Sequence, residues 1–226
     1  MYSIVIPIFN EEENIVNLLN EIFTSLKEFK NYEIILIDDS STDNTLDLLN
    51  IYFSNPHIKV LKNLKNQGQS FSINKGIKES LFDTIITIDG DGQNVPTDIP
   101  QLILEFNKDK NIKLVGGIRI KRKDSIVKIV TSKIANEIRS FILSDDCKDT
   151  GCSLKIFDKK IFLTFPFFDG IHRFMPALFK GYGYKTKFIN VQHRKRKFGQ
   201  SKYGTFNRLF RGINDIIKVK KILKNK

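Results

Sequence analysis

Residues 84–93 read Thr84-Ile85-Ile86-Thr87-Ile88-Asp89-Gly90-Asp91-Gly92-Gln93, an apolar run that breaks into carboxylates and glycines. The β-branched run predicts a buried strand, and the glycines predict a tight turn directly after it. Two carboxylates separated by one glycine can turn toward a single hard cation, and Gln93 could add an amide oxygen. Because Asp-Gly pairs are also common turn formers, a plain surface turn is the alternative.

The chain around this stretch alternates apolar bursts with amphipathic runs, which indicates βαβ units and a mostly parallel sheet. Its 226 residues suffice for one large α/β domain, and no repeat or linker divides them. Strands are predicted at 3–9, 33–37, 58–61, 84–88, 113–118, 153–157 and 185–191. Helices are predicted at 12–29, 43–52, 69–80, 97–107, 128–143 and 173–180.

Two more of these strands also run into acidic residues. Strand 3–9 leads into Glu11, and strand 33–37 leads into Asp38 and Asp39. Since ligands of open parallel sheets bind beyond the carboxyl ends of the strands, we expect all three acidic strand ends to converge there. Their charges would repel one another unless a cation lay between them. A divalent cation that carries a diphosphate is the occupant this pattern favours.

The net charge of +12 is unevenly placed. Residues 1–112 hold 9 Lys and no Arg against 17 acidic residues, a net charge of −8. Residues 113–226 hold 28 Lys and Arg against 8 acidic residues, a net charge of +20. The second half therefore suits an anionic partner, with a solvated basic surface as the alternative. It lacks the interleaved aromatic pattern of nucleic-acid-binding modules, so we predict no nucleic-acid partner.

Neither export nor a membrane span is predicted. Residues 1–10 lack the basic region and apolar core of a signal peptide. No apolar run approaches the ~18–20 residues that a spanning helix needs. Two cysteines, Cys147 and Cys152, are too few for a disulfide framework. We therefore expect a cytoplasmic protein with reduced thiols.

The tail, residues 205–226, has a character of its own. Its basic residues fall mostly off a single apolar stripe, as in a helix that lies at an anionic membrane interface. A terminal helix that packs the same stripe on the protein core is the alternative. The stripe comprises Phe206, Leu209, Phe210, Ile213, Ile216, Ile217 and Leu223.

Several blocks of the first half resemble family 2 glycosyltransferases. They are residues 5–12, 37–45, 66–69 with 74–76, and 89–96. One departure is Ser40, where the family usually has glycine. Blocks 149–155, 170–177 and 193–204 of the second half are similar to polyprenyl-phosphate sugar transferases of the dolichol-phosphate mannose synthase and undecaprenyl-phosphate glycosyltransferase type.

The resemblance implies a Rossmann-like GT-A fold over residues 1–204, followed by the amphipathic tail 205–226. It also implies metal-dependent, inverting transfer of a sugar from a UDP- or GDP-sugar to undecaprenyl or dolichyl phosphate, in the synthesis of cell-envelope glycans. Related enzymes carry membrane helices or rely on small membrane proteins. We therefore expect the tail, or a small membrane protein partner, to hold this chain at the cytoplasmic face of an anionic membrane.

The same resemblance assigns roles to individual residues. Mg²⁺ or Mn²⁺ and the diphosphate would be held by Asp89, Asp91 and Gln93. The nucleotide-sugar pocket would comprise Pro7, Phe9, Glu11, Asp39, Asn66, Gln69, Asp89 and Asp91. The acceptor phosphate would contact Arg119, Lys128, Ser132, Arg194, Arg196, Ser201 and Lys202. Lys128 stands where arginine is usual, so a point charge replaces a bidentate fork. Catalysis would fall to Asp91, Asp149 and Arg119, with Asp149 orienting the acceptor or the donor sugar.

Two other functions fit parts of the sequence. A family 2 enzyme that acts on a saccharide or another soluble acceptor would need a carboxylate base, and Asp145, Asp146 and Asp149 are its candidates. A non-enzymatic binder of nucleic acid or membrane would use the basic half, but it would leave the acidic strand ends unexplained.

Overall fold

The computed structural model of the protein describes residues 1–120, 126–196 and 205–226, and for 126–133 and 205–211 it describes the backbone alone. Among these residues one sheet contains the strands β1 (Tyr2–Ile8), β2 (Tyr32–Asp38), β3 (Ile58–Lys62), β4 (Thr84–Thr87), β5 (Ile112–Arg119), β6 (Lys155–Asp158) and β7 (Lys185–Val191). The helices are α1 (Ile15–Ser25), α2 (Thr45–Asn50), α3 (Gln69–Lys78), α4 (Ile99–Asn107), α5 (Ile126–Leu143), α6 (Lys159–Thr164), α7 (Ile171–Gly181) and α8 (Thr205–Lys224), and a short 3-10 helix spans Pro96–Asp98.

The strand order is β3-β2-β1-β4-β6-β5-β7. All neighbouring strands are parallel except β6, which runs antiparallel to both β4 and β5. Helices cover both faces, so the central strands are buried on both sides and their sequences are apolar at successive positions. Ile4 and Ile6 pack into the layer with α1 and α4, whereas Val5 packs into the layer with α3 and α7. The mostly parallel α/β sheet that the sequence predicted is present.

The helices differ from the prediction in two places. The first predicted helix, 12–29, forms only over Ile15–Ser25, because the residues before Ile15 form a turn that positions Glu11. A helix that was not predicted, α6, begins where the Asp158 carboxylate accepts a hydrogen bond from the Ile161 backbone N–H (3.2 Å). Pro166 follows its end, so the apolar run 161–168 is divided between a helix and a loop.

The tail packs part of its apolar stripe on the protein. In α8, Val219 is fully buried, and Ile216, Ile222 and Leu223 pack against the core cluster beneath α7. Arg173 of α7 is paired with Asp215 of α8 (2.8 Å). These contacts match the alternative of a helix packed on the core, and Ile213 and Ile217 remain about half exposed. None of the described helices has the length and apolar composition that crossing a membrane requires.

Candidate active site

The carboxyl ends of β1 and β4 lie side by side and position the acidic turn 89–93. The backbone N–H of Asp89 donates to Ser153 Oγ (3.1 Å), and that hydroxyl donates to Asn94 Oδ1 (2.7 Å). A Cβ at Gly90 would lie 3.1 Å from the Pro7 carbonyl oxygen, so glycine permits this close approach of the turn to β1. The acidic turn therefore lies between β1 and Ser153, which precedes β6.

Asp89 and Asp91 share a desolvated site. Burial, reinforced by the neighbouring Asp91 charge, raises the pKa of Asp89 to about 7. Burial also raises the pKa of Asp91, against the hydrogen bond that its carboxylate accepts from the Gln93 backbone N–H (3.0 Å). Gln69, at the start of α3, donates from Nε2 to Asp89 Oδ1 (2.7 Å). Two carboxylates held together in this way attract a cation.

A divalent cation fits this pair. Among the described residues no group of three or more His, Cys, Asp and Glu side chains gathers in metal-binding geometry. Mg²⁺ accepts such a sparse set, since it is commonly held by one or two carboxylates, with substrate phosphates and water completing the shell. Asp89 and Asp91 would supply the carboxylates. The Gln93 amide, predicted to join them, directs Nε2 toward the Arg194 carbonyl oxygen (3.4 Å).

Arginines border the acidic turn. Arg196 is paired with Glu11, which is buried and also accepts a hydrogen bond from Asn14 Nδ2 (2.8 Å). The charge of Arg196 lowers the pKa of Asp91, and the charge of Glu11 raises it, so all three groups lie close together. Arg194 donates to the Gly92 carbonyl oxygen. Predicted nucleotide and phosphate residues thus meet at one place.

Glu21 of α1 was missed by the sequence reasoning. Its two carboxylate oxygens accept hydrogen bonds from Arg194 Nη1 (2.9 Å) and Nη2 (2.8 Å). The two residues are 173 positions apart, and Glu21 carries no local signal except its position on a helix that begins beside Glu11. The pair holds segment 193–196 against the acidic turn.

Arg119 and Asp149 form a bidentate pair at the end of β5. Arg119 donates from Nε to Asp149 Oδ2 (2.8 Å) and from Nη2 to Oδ1 (2.7 Å). The charge of Arg119 lowers the pKa values of both Asp89 and Asp91, which places this pair at the same site. A Cβ at Gly151 would lie 2.9 Å from Arg119 Nη2, so glycine makes room for the guanidinium.

Asp39 holds the loop that precedes α3. Its Oδ1 accepts hydrogen bonds from Asn63 Nδ2 (2.7 Å) and the Gln67 N–H (2.9 Å), and its Oδ2 accepts one from the Gly68 N–H (2.8 Å). Ser40 beside it has a positive φ of 64°, a conformation that glycine adopts most readily. The positive φ at this position explains why the family usually has glycine here.

The other residues predicted for the nucleotide pocket lie at different distances from the acidic turn. Pro7 lies one residue before the end of β1 with its carbonyl oxygen beside Gly90 of the acidic turn, and Phe9 directly follows β1. Asn66 is exposed on the loop that accepts its shape from hydrogen bonds to Asp39. The Gln69 side chain donates a hydrogen bond to Asp89 and does not contact that loop in any described hydrogen bond. The side chains of Lys128 and Ser132, and all of Ser201 and Lys202, lie outside the described residues. Their assignment to the acceptor phosphate stays a prediction.

Lys155 is a second residue that the sequence reasoning passed over. It is 3% exposed on β6, and its ammonium group donates to the carbonyl oxygens of Cys152 and Thr150. Its charge lowers the pKa of Asp89. The available sequence signal was its position at the end of block 149–155. In the structure it is a buried cation near carboxylates, and such a cation favours an anionic ligand.

The candidate bases for a hydroxyl acceptor are engaged elsewhere. Asp145 is fully buried, and Arg139 Nη2 donates to its Oδ1 (3.0 Å). Asp146 is paired with Lys180 on the surface. Both oxygens of Asp149 accept hydrogen bonds from Arg119. Asp145 is therefore ruled out as a base, because a substrate hydroxyl cannot reach it.

His172 gives the fold an acid-sensitive group. Its Nδ1 lies 2.7 Å from Ser70 Oγ, which accepts a hydrogen bond from the Gly170 N–H (2.7 Å). Burial, helped by the charges of Arg173 and Lys155, lowers the pKa of His172 from 6.5 to about 3. Below pH 6.5 the unfolded chain binds a proton that the folded protein does not, so the free energy of unfolding falls with pH. We expect His172 to account for a loss of about 2 kcal/mol between pH 6.5 and pH 5.

Urea unfolding of wild type and His172→Gln at pH 5, 6 and 7.5 measures this loss. The carboxylates titrate in both proteins, so the difference between the two free energies of unfolding isolates His172. The difference should shift in favour of His172→Gln as the pH falls. A difference that stays constant with pH would show that His172 is protonated in the folded protein.

Sequence comparison places these residues in a known family. A family model described as Glycosyl transferase family 2 matches residues 3–166. The undecaprenyl-phosphate 4-deoxy-4-formamido-L-arabinose transferase of Pectobacterium carotovorum is 34% identical over 219 residues, which cover 95% of this chain and 66% of that protein. The dodecaprenyl-phosphate galacturonate synthase of Rhizobium johnstonii is 34% identical over 223 residues, covering 96% of this chain and 65% of that protein. The chain thus spans just under two thirds of the length of these relatives.

Solved structures share the fold at low sequence identity. Glucosyl-3-phosphoglycerate synthase from Mycobacterium tuberculosis, in complex with Mn²⁺, UDP-glucose and glycerol 3-phosphate, has a TM-score of 0.70 at 17% identity, covering 97% of this chain and 78% of that one. Mannosyl-3-phosphoglycerate synthase from Rubrobacter xylanophilus has a TM-score of 0.71 at 13% identity, covering 97% of this chain and 72% of that one. These likenesses confirm the predicted GT-A fold. Together with the sequence match, they show that the chain belongs to glycosyl transferase family 2.

Proposed function

We propose that this protein transfers a sugar, with inversion, from a UDP- or GDP-sugar to a polyprenyl phosphate. The observation that carries the proposal is the meeting of two charge sets at one sheet edge. Asp89 and Asp91 form an acidic pair suited to a metal and a diphosphate. Arg119, paired with Asp149, and Arg196, paired with Glu11, lie close enough to lower the pKa of Asp91. The names of the 34%-identical relatives, both polyprenyl-phosphate enzymes, support the same acceptor class.

The donor side of the reaction needs stabilisation of the leaving group. Held by Asp89 and Asp91, Mg²⁺ or Mn²⁺ would stabilise the charge that develops on the departing nucleoside diphosphate. Gln69 fixes the orientation of Asp89, since its amide occupies Oδ1. Glu11 holds Arg196, and Glu21 holds Arg194, close to the acidic turn. Arginines at this place can bind phosphate oxygens. These residues bind and orient the diphosphate.

The acceptor side needs positive charge more than it needs a base. A phosphate acceptor is already an anion at neutral pH, so its attack on the sugar requires no strong proton acceptor. It does require cations that bring it near a negatively charged donor. Arg119, oriented by Asp149, and the buried Lys155 supply positive charge beside the acidic pair. The engagement of Asp145 and Asp149 with arginines favours a phosphate acceptor over a sugar hydroxyl.

In this proposal the enzyme works as a peripheral protein at the cytoplasmic face of the membrane. The acceptor is a membrane lipid, whereas the donor is a water-soluble nucleotide sugar. An anionic membrane surface or a small membrane protein partner would hold the enzyme there. The basic second half of the chain, with its net charge of +20, supports attachment to an anionic surface.

Mass spectrometry of the lipid product tests the reaction. The protein is incubated with Mn²⁺ or Mg²⁺, a panel of UDP- and GDP-sugars and a short-chain polyprenyl phosphate in detergent. We expect one donor to add a single sugar mass to the lipid, and a metal chelator to stop the reaction. Release of nucleotide only when a soluble saccharide is present, with no lipid product, would contradict the proposed acceptor and favour a soluble one.

A further inference from the structure

Helix α5 carries an apolar stripe on its outer face. Ile134, Ile138, Phe141 and Ile142 are spaced four, three and one positions apart, and their exposed fractions are 52%, 53%, 90% and 37%. Single exposed apolar residues are ordinary, but several side chains on one helical stripe mark an interaction surface. The opposite face of α5 is already packed, since Leu143 and Arg139 are buried. The outer side of α5 is thus apolar, although the buried side already packs on the protein.

The surroundings of this stripe are strongly basic. Helix α5 packs against α8, and by sequence the two helices hold nine Lys and Arg against two acidic residues. The described lysines of α8, from Lys218 to Lys224, are exposed, and Ile213 and Ile217 of the same helix are half exposed. Exposed isoleucine and phenylalanine among lysines are typical of a helix that lies on an anionic bilayer. A second copy of the chain would bring two basic surfaces together, which the charges oppose.

Helix α5 also connects this stripe to the candidate active site. It is the first helix after Arg119, the last residue of β5. Near its other end, Arg139 donates to Thr150 Oγ1 (2.6 Å) in the loop that carries Asp149. Asp149 of the Arg119–Asp149 pair is therefore linked to α5 through one loop.

We infer that the α5 stripe, residues Ile134, Ile138, Phe141 and Ile142, is the surface by which this protein docks on an anionic lipid bilayer. In the tail helix, which the sequence favoured for this role, Ile216 and Leu223 of the stripe pack on the protein. Its exposed lysines would flank the α5 stripe instead. The link from this surface to the acceptor rests on the proposed function, whereas binding to the bilayer does not.

Co-sedimentation with vesicles tests the docking surface. The probes are vesicles of phosphatidylcholine with phosphatidylglycerol and vesicles of phosphatidylcholine alone. The variant Ile138→Ser/Phe141→Ser removes the centre of the stripe, and Ile51→Ser/Phe53→Ser is the matched control. Ile51 and Phe53 are 72% and 60% exposed outside α5 and α8. We expect wild type and control to bind the anionic vesicles, and the α5 variant to bind at least about tenfold more weakly.

Three results would overturn this inference. They are unchanged binding by the α5 variant, no binding by wild type, and equal binding of wild type to neutral vesicles. Light scattering without vesicles adds a fourth, since a wild-type dimer that becomes a monomer in the α5 variant would make the stripe a subunit interface. Failure of the proposed function is distinguishable, because vesicle binding would persist while no lipid acceptor was glycosylated.

Discussion

Replacing Asp91 with asparagine is expected to reduce sugar transfer by about 10³-fold or more while the protein stays folded. The substitution keeps an oxygen that can accept the Gln93 N–H but removes the charge that would hold the metal. Burial raises the pKa of Asp91, so its ionised form destabilises the folded protein at neutral pH without metal. We therefore expect the metal-free variant to melt at a higher temperature than wild type. Turnover and melting temperature, each measured with and without Mn²⁺, check both results.

The matched control is Asp47→Asn, which removes an exposed carboxylate from α2. This variant should keep normal turnover and the increase in melting temperature that Mn²⁺ gives wild type, whereas Asp91→Asn should lose that increase. Turnover of Asp91→Asn within tenfold of wild type would show that the carboxylate does not hold the catalytic metal. A lower melting temperature of the metal-free variant would show that its structural role outweighs its charge.

The sheet could be predicted from sequence because its strands are buried on both faces. Runs such as Ile34–Ile37 are apolar at successive positions, and such runs allow few alternatives. The direction of β6 could not be predicted, because a strand of four residues does not record in its sequence whether it pairs parallel or antiparallel. The packing of α8 was equally hidden, since one apolar stripe can face a bilayer or a protein core. Its burial depends on contacts with α7.

The candidate site was predictable where its residues follow strands. Asp89 and Asp91 lie within four residues of the end of β4, Glu11 lies three residues after β1, and Asp39 directly follows β2. The ion pairs across the site left no such signal. Arg119 meets Asp149 across 30 residues, and Arg194 meets Glu21 across 173, so tertiary structure alone determines these contacts. The sequence therefore predicted which charges are present, and the fold determined their partners.

Replacing Arg139 with methionine is expected to destabilise the protein by about 3–5 kcal/mol. The exposed fractions of the Arg139 and Asp145 side chains are 4% and 0%. Nη2 donates to Asp145 Oδ1 (3.0 Å), and Nε lies 2.9 Å from Oδ2 as an ion-pair contact rather than an aligned hydrogen bond. Methionine would leave a buried carboxylate whose described hydrogen bond is with the Cys147 N–H (3.0 Å). Denaturant unfolding at pH 7 measures the loss.

The double variant Arg139→Met/Asp145→Leu separates the charge from the packing. When both charges are replaced by apolar side chains no buried charge is left unpaired, so much of the lost stability should return. The double variant should still show weakened transfer, because Arg139 also donates from Nη1 to Thr150 Oγ1 (2.6 Å), close to Asp149. A loss below 1 kcal/mol in the single variant would show that Asp145 becomes protonated or reaches water. Full transfer activity in the double variant would instead show that the loop carrying Asp149 keeps its position without Arg139.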